Sequence, residues 1–308
     1  MTENEVIIID AIPHSEYERI ICTCVKNALF SLPITKVDRR KFFFLDYTRL
    51  ALYIAQRNII LQLFKFFCNA NNIFPDTKSC STSYWPTRKR DFILDGKEWN
   101  LKYSFLQAFS SDLGQKYTDL PALVPNRHND DEWSKRNLAC HSGSDGVAFL
   151  FAFLKRSVLT SEKQKKFIDI NLNQAQQDYI HHLYEKYNKM HLPQESYQED
   201  DFWKEMNSLG PNEYLVINDY PDLIITGYAD KTIWDIFRDT GRSVREYNWV
   251  NYCSPSWYSK DARRGYLSFL NGALYSIITN ATVPVSKLPS FLSLFPHLNN
   301  QLKYAYFG

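Results

Sequence analysis

The chain has 308 residues, 44% of them hydrophobic and 23% charged, with a formal net charge of +2. This is the composition of a globular protein able to bury a sizeable core; it excludes a disordered chain and a strongly basic coat for nucleic acid. Aromatic residues reach 16%, enough for a Phe/Tyr-rich core with some rings left to stack on bases.

The start Met1-Thr2-Glu3-Asn4-Glu5 is acidic and lacks the basic region of an export signal. No apolar run reaches the ~18 residues of a membrane span. With six cysteines in the whole chain, the expectation is a cytoplasmic protein with reduced thiols and no membrane partner.

In chain order, His14 to Leu32 reads as a helix, with Tyr17, Ile20, Ile21, Cys24 and Ala28 at helical spacing. Asp46 or Thr48 can cap a second helix running to about Asn71, apolar on more than one side. Residues 90–105 read as a hairpin. Asp95-Gly96 supplies the two residues tolerant of positive φ that a type I′ turn needs, and the flanks are β-prone. Residues 110–144 form a long polar connection. Val147 to Leu154 is nearly all apolar, as expected of a strand buried on both faces. Helices are expected near 172–190 and 197–209, with strands at Glu213–Asn218 and Leu223–Tyr228. A helix from Asp230 to Asp239 and a strand from Arg245 to Tyr252 follow. The remainder reads as loop and helix. The expected class is α/β, a central mixed β-sheet flanked by helices. The expected organisation is a single domain, with a core of about 46–252, an N-terminal helical addition 1–45 and a C-terminal helical and loop addition 253–308.

The hairpin carries the chemistry. Asp91 opens its first strand; on the second, Glu98, Asn100 and Lys102 share one face, and Trp99, Leu101 and Tyr103 the other. A core-packed face thus lies behind a face bearing acid, amide and amine. A solvated strand pair is the plain structural account. Metal-assisted phosphodiester hydrolysis is the chemistry that asks for these groups together. Mg²⁺ prefers hard oxygen ligands and polarises phosphate, and an amine stabilises the charge that develops.

This stretch resembles the PD-(D/E)xK nuclease superfamily, which includes most type II restriction endonucleases. Asp91 matches the family's first acid, Phe92-Ile93-Leu94 the apolar triplet after it, Gly96 the turn and Lys102 the lysine. Arg90 stands where the pattern often has proline, and Asn100 occupies the second acid position. The resemblance covers about fifteen residues. It implies a restriction-endonuclease-like core and a Mg²⁺-dependent DNA endonuclease, with Mn²⁺ as a substitute ion. Catalytic residues would be Asp91, Asn100 and Lys102, and metal ligands Asp91, Asn100 and Glu98. A further acid would come from Asp46, Glu18 or Glu16. Arg88, Lys89 and Arg90, with Arg127, Lys135 and Arg136, are the candidates for contacts to double-stranded DNA. Twofold symmetry of a palindromic site would suit a homodimer.

Two other readings stand beside this one. Asn100 favours a catalytically silent nucleic-acid-binding relative, and a structural or interaction protein would need the hairpin only for packing. Cys22-Thr23-Cys24 lacks zinc spacing, His181-His182 lacks helical ligand spacing, and Pro221-Asp222 is followed by no acid-x-Lys.

Overall fold

The computed structural model describes residues 1–35, 47–80, 90–106, 116–125, 147–155, 167–189, 197–211, 213–230, 249–250, 266–269, 272–275, 280–298 and 302–307. Its elements in chain order are β1 (Ile7–Ile9), α1 (His14–Ser31), α2 (Tyr47–Ala70), β2 (Phe92–Leu94), β3 (Lys97–Leu106), β4 (Pro121–Pro125), β5 (Val147–Lys155), β6 (Ile168–Ile170), α3 (Gln174–Tyr184), α4 (Glu199–Ser208), β7 (Leu215–Ile217), β8 (Asp222–Ala229), β9 (Trp249–Val250), β10 (Tyr266–Phe269), β11 (Gly272–Tyr275), β12 (Asn280–Pro284) and β13 (Ala305–Phe307).

The protein is α/β. Six strands make the central sheet in the order β13-β1-β8-β5-β3-β2. β3 and β5 run parallel, and the other neighbours are antiparallel, so the sheet is mixed. β5 is its spine. Seven consecutive residues from Ala148 to Leu154 are buried, as a strand covered on both faces requires. The even and odd positions of β5 enter different cores. Ala148, Leu150, Ala152 and Leu154 join the apolar residues of the four α-helices, whereas Phe149, Phe151 and Phe153 join Ile8, Ile224, Leu120, Val285 and Leu288.

α1 buries one stripe, Tyr17 through Leu29, against α2. α2 is buried on several sides, which is why its apolar residues make no thin stripe. At full burial each large apolar side chain contributes about 1.5–3 kcal/mol, so α2 and β5 anchor the fold. α3 is capped by Asn173, whose side chain accepts from the Gln176 N–H while the Gln176 side chain accepts from the Asn173 N–H.

Three sequence expectations need correction. β1 lies inside the stretch expected to be a helical addition, and β13 inside the expected C-terminal one; both are strands of the central sheet, so that sheet extends outside 46–252. The described residues beyond 253 form short strands and 3₁₀ turns rather than α-helices: β10 pairs with β11, and β12 pairs with β4 and β9. β4 lies within the stretch read as a connection. The helix expected from Asp230 to Asp239 lies outside the described residues, as does all but Trp249–Val250 of the strand expected after it.

Candidate active site on the edge hairpin

β2 and β3 form the edge hairpin of the sheet. Asp95 and Gly96 have φ of 49° and 72°, the pair of left-handed residues that a type I′ turn demands. The register Phe92↔Trp99, Ile93↔Glu98, Leu94↔Lys97 follows from that turn. Phe92 and Trp99 stack at 5.9 Å on the helix-covered face, which fixes which side of β3 turns away from α2. β2 is also held on its outer side, where Asp76 exchanges two backbone hydrogen bonds with Ile93.

Strand alternation then places Glu98, Asn100 and Lys102 on the opposite face, beside Phe149 and Phe151 of β5. Asn100 is buried there. The Lys102 ammonium stands 5.1 Å from the centre of the Phe149 ring. Burial pushes Lys102 down to about 8; the Arg57 guanidinium pushes the same way and the Asp91 carboxylate opposes both.

Asp91 sits just before β2, and only 2% of its side chain is exposed. Its Oδ2 accepts a 2.9 Å hydrogen bond from the backbone N–H of Leu101, the residue between Asn100 and Lys102. Its Oδ1 accepts from Arg57 Nη2 at 2.8 Å. The first strand's acid is therefore fastened to the second strand at the Asn-x-Lys triplet and to α2 at its cation. A buried carboxylate without such partners would be costly.

Arg57 is the residue that the sequence reading missed. It is flanked in α2 by the buried residues Ile54, Ala55, Ile59 and Ile60. A cation set among buried apolar neighbours was the available signal, because a charge there needs a partner.

The other candidates divide. Glu98 forms an ion pair with Arg90 across the hairpin, which engages one expected metal ligand and one expected DNA contact with each other. Glu16 pairs with Arg19 on its own helix, and Glu18 accepts from the Tyr220 hydroxyl at 2.6 Å, so both are engaged elsewhere. Asp46, Arg88, Lys89, Arg127, Lys135 and Arg136 lie outside the described residues. Of the residues set aside in the sequence, Cys24 is buried, which pushes its thiol up to about 12, and His181 Nδ1 hydrogen-bonds the Tyr47 hydroxyl at 2.8 Å.

Among the described residues, no group of three or more His, Cys, Asp or Glu side chains could hold a metal ion. Asp91 offers one carboxylate and Asn100 one amide oxygen. Such a donor set does not make a closed protein cage. Both Asp91 oxygens already accept hydrogen bonds, from the Leu101 N–H and from Arg57, and Asn100 is neutral, so the set is poorer than the one or two carboxylates by which Mg²⁺ is commonly held. No helix among the described residues is long and apolar enough to cross a membrane. No family model, curated protein or solved structure matches this chain.

Proposed function

We propose that the chain is a Mg²⁺-dependent DNA endonuclease with a restriction-endonuclease-like core, acting at the β2–β3 hairpin. One observation carries the reading: the Asp91 carboxylate is bonded to the backbone of Leu101, so the acid and the Asn-x-Lys triplet form one unit. Ten residues separate Asp91 from Leu101 in sequence, and the tight turn at Asp95-Gly96 brings them together.

In this reading Asp91 is the main metal ligand, with Asn100 as a neutral and weaker second. A Mg²⁺ ion held by Asp91 and Asn100 would supply positive charge and lower the pKa of a bound water. The chain's own residues do the remainder. Lys102 in its charged form stabilises the oxygens of the phosphate as water adds to phosphorus and the bond to the leaving sugar oxygen breaks. Its proximity to Phe149 removes water from one side of the amine, which strengthens that interaction. Leu101 N–H and Arg57 keep the Asp91 carboxylate in one orientation. Arg90 is available to flanking phosphates only when it leaves Glu98.

Incubation with phage and plasmid DNA in Mg²⁺ and then Mn²⁺ tests the reading. Discrete fragments that disappear in Lys102→Ala establish a sequence-specific nuclease working at this hairpin. A second reading, a silent nucleic-acid-binding relative, is favoured by Asn100 in the second acid position. It predicts DNA retention without cleavage, and cleavage gained in Asn100→Glu. Neither retention nor cleavage in any of these proteins rejects both.

A further inference from the structure

Arg57 is held at one point and open elsewhere. Its Nη2 donates to Asp91 Oδ1 at 2.8 Å, and 20% of its side chain is exposed. A guanidinium carries five N–H donors, and this is the one hydrogen bond that Arg57 makes among the described residues. Tyr53, one turn earlier on the same face of α2, is 49% exposed, so that face reaches solvent. Lys102 makes no hydrogen bond among the described residues; its ammonium stands beside the Phe149 ring. Burial disfavours the Lys102 charge and the Arg57 guanidinium adds to that, so the two cations feel one another. The carboxylate they share is fully engaged: Oδ1 accepts from Arg57, and Oδ2 from the N–H of Leu101, the residue before Lys102. Two cations thus answer to one buried acid, and the local charge is positive. Partly buried cations with idle donors favour the arrival of an anion.

We propose that Arg57, kept in place by Asp91, is a phosphate-binding residue of this site and takes a phosphate oxygen without a metal ion. Nothing has to move, because the contact adds to the Asp91 bond rather than replacing it. The donors left over on the guanidinium match the non-bridging oxygens of a phosphate. That the phosphate belongs to DNA rests on the nuclease reading; the positive charge of the subsite does not.

The test is binding of a short fluorescent DNA duplex to the full chain in EDTA, repeated at several KCl concentrations. Each phosphate contact contributes about one unit to the slope of log affinity against log salt. Arg57→Gln is expected to lower that slope by about one and to weaken binding about tenfold. Arg57→Lys keeps the charge and should keep the slope. Arg19→Gln, on the exposed side of α1, should change neither. An Arg57→Gln slope equal to that of the unsubstituted protein overturns the proposal even where affinity or stability falls, since a purely structural partner of Asp91 would give that result. Inorganic phosphate is the second probe. If it raises the thermal midpoint of the unsubstituted protein but not of Arg57→Gln, while the duplex does not bind, the subsite stands and its ligand is a free phosphate compound. Binding of neither probe in EDTA overturns it. Should Arg57→Gln fail to fold, side-chain NMR of Arg57 in the unsubstituted protein decides: duplex or phosphate in EDTA should shift its signal, and an unmoved signal overturns the proposal. A duplex held through Arg57 but never cut in Mg²⁺ or Mn²⁺ removes the nuclease reading and leaves this inference. Cutting with an unchanged Arg57→Gln slope does the reverse.

Discussion

Two carboxylates of the central sheet show how neighbours decide what an acid does. Asp91, at the edge hairpin, is buried but answered on both oxygens, by a backbone N–H and by Arg57. Asp222, at the start of β8, stands opposite Lys155 in register, and Asp10 follows the β1 residue that pairs with Leu223. Burial pushes the Asp222 carboxyl up to about 6; Lys155 pulls it down, and Asp10 and Asp219 push it further up. The lysine in that cluster also donates to the Tyr117 hydroxyl at 3.4 Å. One acid is answered by a backbone N–H and a guanidinium. The other is crowded by its own kind, and its charge works against the fold. Burial alone therefore does not mark a site; the identity of the partners does.

The same substitution at the two acids should have opposite effects. Asp91→Asn leaves the Arg57 charge without its partner and is expected to lower stability by about 2–3 kcal/mol. On the proposed nuclease reading it should also reduce DNA cleavage by about a hundredfold or more. Chemical denaturation and a cleavage time course measure the two losses, and an unchanged denaturation midpoint would break the comparison at its stronger end.

Lys102→Ala sharpens it by separating activity from folding. Cleavage should fall by about 10²–10³-fold, as when one charge-stabilising donor is removed. Stability should fall far less than in Asp91→Asn, because burial already disfavours the charged lysine. A midpoint loss as large as that of Asp91→Asn would make Lys102 structural.

Asp222→Asn should do the reverse and raise stability at pH 7.5 by about 1 kcal/mol once solvent screening is allowed for. The sign follows from a folded-state pKa lying above the unfolded one. The stabilising contribution of Asp222 is full below about pH 4 and is lost as pH rises through about 6. A thermal midpoint series from pH 4 to 8 should therefore lose part of its slope in Asp222→Asn, with cleavage unaffected. At the turn no activity change is expected. Gly96 has φ of 72° and nothing within 4 Å of an added Cβ, so Gly96→Ala should cost only the left-handed backbone strain, about 1–2 kcal/mol of stability.

Local signals account for what the sequence made legible. α1, α2, β5 and the hairpin each carry a period or a turn dipeptide strong enough to act alone. β1 and β13 do not. Each has three paired residues, and their partners lie far away in the chain, so no window around Ile7 or Tyr306 points to the sheet. β10 and β11 pair with each other, but their residues lack clean alternation and read as helix or loop. At the site, the spacing of Asp91, Asn100 and Lys102 was visible in the chain. The Arg57 contact was not, because a helix and a hairpin more than thirty residues apart meet only in the folded molecule. The same holds for Arg90 and Glu98. In the chain they stand eight positions apart as separate candidates for DNA and metal, and an ion pair across the hairpin joins them to each other.

The place of β1 has a kinetic consequence. Ile7 pairs with Ile225 on one side and Phe307 on the other. During synthesis the first strand of the sheet emerges early and must wait for both partners. Closing loops of that length is entropically slow, and proteins rich in such non-local pairings fold late and expose unpaired edges meanwhile. The run Val6 to Ile9, wholly buried in the finished sheet, is the segment left open during that interval. Until both partners arrive, that run is an apolar strand with two open edges.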